Sequence, residues 1–186
     1  MIHDFQSNLA YSLDANTGFD LAILKNKIDG CVDVQKTDVE TDKTGVDYVA
    51  TLRRGATINI DGKTRKQGAS RYWRYGEPEL ALEIYSVVPS EYNQGKIGWT
   101  LNESSPVDLI LFTFDSSDSN MFYLLPFQHL RMAFRRNGRY WAKKYGIKTE
   151  YSNSWRSQAI FVPASVVISA LSIEMVGCAD IGEKGA

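Results

Sequence analysis

The sequence predicts an α/β fold of the α+β kind, a mixed central β-sheet flanked by helices. Three patterns predict it. Apolar residues recur at helical spacing towards both ends of the chain, and they alternate with a period of two through the middle. One segment, Asp108-Leu109-Ile110-Leu111-Phe112-Thr113-Phe114, is nearly all apolar, as a strand covered on both faces must be.

Residues 2–13 are amphipathic enough for a short helix, and Asn16-Thr17-Gly18 marks a break after it. Over residues 19–28, Phe19, Leu21, Ala22, Leu24 and Ile28 fall mostly along one helical face, with Asp29-Gly30 as the stop. Residues 31–34 read as a first strand. Residues 46–52 and 56–60 read as two more, joined by a turn at Arg53-Arg54-Gly55, and the second runs into Asp61-Gly62-Lys63. Residues 79–88 alternate, with Leu80, Leu82 and Ile84 on one side and Ala81, Glu83 and Tyr85 on the other. After the apolar strand and a further one at 121–125, residues 127–145 form a helix with Leu130, Phe134 and Trp141 inward, weakened in its middle by Gly138. Residues 159–162 give a last strand, and Pro163 opens a final helix packed by Val166, Val167, Ile168 and Leu171. The expected organisation is one domain over residues 1–179 and a flexible polar tail over 180–186.

Composition narrows the function classes. At 186 residues the chain is long enough to bury a core without disulfides or structural metal. Its 21 basic and 22 acidic residues leave a formal charge of −1, which argues against a protein that coats DNA through phosphate neutralisation alone. Cys31 and Cys178 are far apart, and with His3 and His129 they lack the spacing of a zinc site. No histidine stands at a suggestive spacing from Ser86, Ser104 or Ser105, so a serine hydrolase has no support. The first residues lack a basic segment followed by an apolar run, and no stretch approaches about 18 apolar residues, so the expected compartment is the cytoplasm, without a membrane span.

One constellation carries chemistry. Asp47 sits in the strand Val46-Asp47-Tyr48-Val49-Ala50, and Asp61-Gly62-Lys63 ends the next strand. A hairpin around Arg53-Arg54-Gly55 brings both aspartates to one end of the sheet. Carboxylate oxygens suit Mg²⁺ or Mn²⁺, which take one or two carboxylates together with substrate phosphate and water. A cation there polarises a phosphodiester and acidifies a bound water. Lys63, two residues on and so on the same side as Asp61, is placed to orient that water or neutralise charge on phosphorus. The competing reading is local: Asp61-Gly62 also suits a two-residue hairpin turn, in which the aspartate serves backbone geometry and Lys63 is merely solvated. An unpartnered Asp47 inside an otherwise apolar strand would be costly, which favours the paired reading. Asn59-Ile60-Asp61-Gly62 carries asparagine where a nucleotidyltransferase needs its lysine nucleophile, so that chemistry is excluded.

Asp47, Asp61 and Lys63 resemble the signature of the PD-(D/E)xK nuclease superfamily, and a wider likeness to phage or mobile-element members runs through Leu82-Glu83-Ile84, Gly98-Trp99, the strand from Asp108 and Leu130-Arg131. Val46 stands where the superfamily often has proline, and Asp61 where it often has glutamate. The resemblance implies a restriction-endonuclease-like core and a metal-dependent deoxyribonuclease that leaves 5′-phosphates, in some members as a homodimer. Asp47 and Asp61 would hold the metal with Glu83 as a third carboxylate, and Lys63 would assist the attack. For the first-helix acid the only candidate is Asp20. Arg65, Lys66 and Arg71, interleaved with Tyr72, Trp73 and Tyr75, and Arg131 and Arg135 on the basic helix are the candidate DNA contacts. The alternative function is a catalytically inactive nuclease-like module that binds a protein or nucleic-acid partner.

Overall fold

The computed structural model describes residues 17–38, 44–65, 73–74, 76–114, 121–151 and 155–182. Its described residues have the mixed α+β architecture: two β-sheets, one of them mixed, with three α-helices. The chain divides into two compact units, residues 1–69 with 105–126 and residues 70–104 with 127–186.

The first unit holds α1 (Thr17–Lys27) and strands β1 (Cys31–Lys36), β2 (Tyr48–Leu52), β3 (Thr57–Arg65), β7 (Leu109–Phe114) and β8 (Met121–Pro126), in the order β1-β2-β3-β7-β8. Burial explains α1. Ile23, Leu24 and Ile28 pack against Tyr48, Ala50, Ile60 and Leu111. The β2–β3 turn falls where expected. Leu52 N–H donates to the Ala56 carbonyl at 2.8 Å, Gly55 N–H returns to Leu52 at 2.8 Å, and Gly55 takes φ 78°, a conformation that glycine adopts without Cβ strain. β3 does not turn at Asp61-Gly62. It continues to Arg65 as the parallel partner of β7, with Asp61 opposite Ile110 and Lys63 opposite Phe112, so the hairpin-turn reading of those residues is overturned. β7 is paired on both edges, by β3 and β8, and Ile110 to Phe114 are buried, as its apolar run predicts.

The second unit holds β4 (Trp73–Arg74), β5 (Glu77–Val87), β6 (Lys96–Ile97), β9 (Ile147–Tyr151) and β10 (Arg156–Pro163), with α2 (Phe127–Tyr145) and α3 (Ala164–Gly182). The strand order is β4-β5-β10-β9, and β6 pairs with β5. Leu80, Leu82, Ile160 and Val162 fill its core with Phe127, Leu130, Phe134 and Trp141 of α2. α2 runs unbroken through Gly138, where a Cβ would meet the Phe134 ring at an ordinary 3.4 Å. Pro163 closes β10, opposite Glu79, and α3 starts one residue later. Its first turn is capped from β5, with both Ser165 N–H and Oγ donating to the Glu77 carboxylate at 2.7 Å. Among the described residues no helix is long and apolar enough to cross a membrane. The helix expected over residues 2–13 lies outside the described residues.

Candidate active site and metal centre

The ladder between β2 and β3 changes character just where the chemistry-bearing residues stand. Tyr48 pairs with Ile60, and Asp47 N–H also donates to the Ile60 carbonyl, at 2.9 Å. Asp47, the residue just ahead of β2, thus stays bonded to β3 beyond the last ladder pair. The Asp47 carboxylate then supplies the next rung itself: its Oδ2 accepts from Gly62 N–H at 2.6 Å. The Val46 carbonyl accepts instead from the Thr37 hydroxyl at 2.6 Å. Gly62 is the residue between Asp61 and Lys63, so this bond brings Asp47 onto the backbone of the D-x-K segment. A side chain at 62 would begin 3.1 Å from the Tyr48 ring and 3.3 Å from Asp47 Oδ2.

Asp61 is only 4 % exposed, and its Oδ1 takes the Lys63 ammonium at 2.6 Å. A carboxylate buried this deeply needs a partner, and the i, i+2 spacing of a strand supplies one. The ammonium expected to orient the attacking water or offset charge on phosphorus is thus ion-paired with Asp61.

Asp20 is the candidate the sequence offers for a first-helix acid. This α1 residue is 2 % exposed, and Tyr48 O–H donates to its Oδ2 at 2.8 Å. Among the described residues its Oδ1 is buried without a hydrogen-bond partner. Burial, joined by the nearby Asp47 charge, pushes its carboxyl above the usual range, and burial and the Asp20 charge push the Tyr48 phenol far up. The signal was present in the sequence: Asp20, Leu24 and Ile28 share one face at i, i+4 and i+8, so an acid heads the buried stripe. One rung beyond Lys63, the hydroxyls of Thr64 and Thr113 meet at 2.9 Å across β3 and β7.

The remaining candidates fall elsewhere. Glu83 lies in the second unit, where its Oε2 accepts from Ser86 Oγ at 2.7 Å and from Trp99 N–H at 3.2 Å. Arg131 is held inside its own unit, donating to the Asn102 carbonyl at 3.0 Å and to Gln128, and lies 5.7 Å over the Phe127 ring. Arg135 is ion-paired with Glu103. Arg65 closes β3 opposite Phe114. Its side chain, Lys66 and Arg71 lie outside the described residues.

Carboxylate oxygens such as those of Asp20, Asp47 and Asp61 are the kind a hard divalent cation takes, but Asp47 and the Tyr48 ring lie against the Gly62 face of β3, whereas Asp61 and Lys63 project from the opposite face by the strand's period of two. The oxygens do not form a ready-made cage, because among the described residues no group of three or more His, Cys, Asp and Glu is spaced to hold a metal ion.

No family model and no curated protein sequence matches the chain. Among solved structures, the chain is similar to D212, a nuclease from a fusselovirus, at 13% identity over 95% of this chain and 98% of that one, with a TM-score of 0.36.

Proposed function

We propose that the protein is a metal-dependent deoxyribonuclease whose site is Asp47, Asp61 and Lys63. The observation that carries the reading is the bond from Gly62 N–H to Asp47, made at the residue that the Asp61–Lys63 ion pair flanks. Asp47 and Asp61 would hold Mg²⁺ or Mn²⁺, which supplies Lewis acidity towards the phosphodiester and an acidified water. The residues do the rest. Asp47, braced on the β3 backbone, has one oxygen fixed in orientation. Asp61 holds Lys63 in place, and the ammonium offsets charge that builds on phosphorus during in-line attack.

The test is incubation of the purified protein with plasmid, single-stranded and branched DNA in Mg²⁺, Mn²⁺ or EDTA. Cleavage with metal and none in EDTA is expected, with a loss of about 100-fold or more in Asp61→Asn and in Lys63→Ala. Cleavage that persists in EDTA, or that survives Asp61→Asn, refutes the site. A second reading, an inactive nuclease-like binding module, is favoured by one observation: Asp61 and Lys63 already satisfy each other. It predicts a folded protein that forms a stable complex with its partner and never cuts.

A further inference from the structure

The basic helix α2 divides into two halves with different duties. None of its 19 residues is acidic. In the first half Arg131 and Arg135 are occupied by Asn102, Gln128 and Glu103, and Arg136 reaches the buried Glu174 at 3.2 Å. In the second half Arg139 and Lys143 are exposed and make no ion pair among the described residues. They stand one turn apart, about 6 Å along the axis. That spacing lets the two cations, on their long side chains, reach neighbouring phosphates of one strand. Between them Tyr140 is 58% exposed, with Lys144 Nζ 5.6 Å from its ring centre. The charge around Arg139 and Lys143 calls for a polyanion, and no acid from 128 to 148 competes with it. A lipid surface would reward an apolar helix face, but the apolar face of α2 is spent in the core through Phe127, Leu130, Phe134 and Trp141. A duplex hides its bases, so only a single strand rewards the tyrosine ring.

We propose that the C-terminal half of α2, through Arg139, Tyr140 and Lys143, seats a single strand of DNA, with the two cations on its phosphates and the ring under a base. The proposal rests on the nuclease reading for its choice of DNA, and it moves the contact about two turns beyond Arg131 and Arg135.

The test is fluorescence anisotropy of a labelled oligothymidylate in EDTA, where no metal-dependent cut intervenes, across a salt series. Arg139→Gln/Lys143→Gln is expected to weaken binding at least about 10-fold and to flatten the slope of log K against log salt by about 1.4, two phosphates at roughly 0.7 each. Tyr140→Ala is expected to weaken binding about 5-fold or more with the slope unchanged. The charge-matched Lys25→Gln/Arg54→Gln, elsewhere on the surface, controls for net charge. An unchanged slope in the Arg139/Lys143 pair overturns the proposal. So do equal losses in the control pair, a duplex of the same length that binds as tightly as the oligothymidylate, or polyglutamate that competes as well as the oligonucleotide. Binding that behaves as expected in a protein that never cuts supports this surface and refutes the nuclease reading alone.

Discussion

At the scale of single residues, Asp20 is the most consequential side chain that the sequence left in the background. In the folded chain burial raises its carboxyl pKa above the ordinary 3.8, whereas in the unfolded chain it titrates normally. The folded state therefore holds the proton to higher pH than the unfolded state. Stability contributed by this group is complete below the ordinary carboxylate range and is lost as pH rises through the raised value. Asp20→Asn keeps an oxygen to accept from Tyr48 and removes the charge. The variant is expected to be more stable than the parent at neutral pH, by about 1 kcal/mol, and to lose that advantage towards pH 4. Thermal melts between pH 4 and 8 decide it, and a gap independent of pH would refute the assignment. The contrast with Asp47, Asp61 and Lys63 shows what a one-dimensional pattern can carry. Their i, i+2 and hairpin spacings are short-range, so the sequence locates Asp61 and Lys63 on β3 and Asp47 at the head of the strand that pairs with it. The partner of Asp20 is Tyr48, 28 residues away and reached only once α1 docks on the sheet, and no local period encodes that.

Among the elements, those with strong local signals were legible and those held by pairing alone were not. α2 spans the expected residues because an amphipathic stripe runs between Pro126 and Gly146, which takes φ 82° just past its end. β9 was missed because Ile147-Lys148-Thr149-Glu150-Tyr151 is a largely exposed edge, defined by its ladder to β10 rather than by a buried face. β6 is two residues long and pairs with β5 across a register shift, which leaves no periodicity to detect. Its continuation through Gly98 tests how tight that pairing is. A Cβ at 98 would lie 2.5 Å from the Glu83 carbonyl oxygen, backbone against backbone, whereas a Cβ at 62 would meet a tyrosine ring edge at 3.1 Å. A ring can tilt by a few tenths of an ångström, but a paired carbonyl cannot move without breaking its strand. Gly98→Ala is therefore expected to cost about 1–3 kcal/mol, and Gly62→Ala less, as read from denaturant midpoints. The reverse order would show that the β5–β6 junction is slack and that the stretch of β3 beside Asp47 is the rigid element.

For the molecule as a whole, the order in which the chain builds its two sheets sets what can be cut away. The first sheet joins β3 to β7 in parallel, with Asp61 opposite Ile110, so the chain must leave the first unit and come back between them. The excursion, residues 70–104, builds β4, β5 and β6 of the second sheet. β5 in turn finds its long partner only when β10 arrives, with Leu82 opposite Ile160. A fragment ending at 126 therefore contains the whole first unit together with a stranded β5, whose Leu80 and Leu82, fully buried in the intact chain, would face solvent along an open edge. That fragment is expected to aggregate. Replacing residues 70–104 by about ten glycines and serines spans the roughly 20 Å from the end of β3 back to the start of β7 and removes the orphan strand. The shortened fragment is expected to stay monomeric on gel filtration, with a β-rich far-UV spectrum and a cooperative melt. If instead the fragment ending at 126 proved monomeric and as cooperative as its shortened form, β5 would not depend on β10, and the division of the chain into two separately built sheets would have to be abandoned.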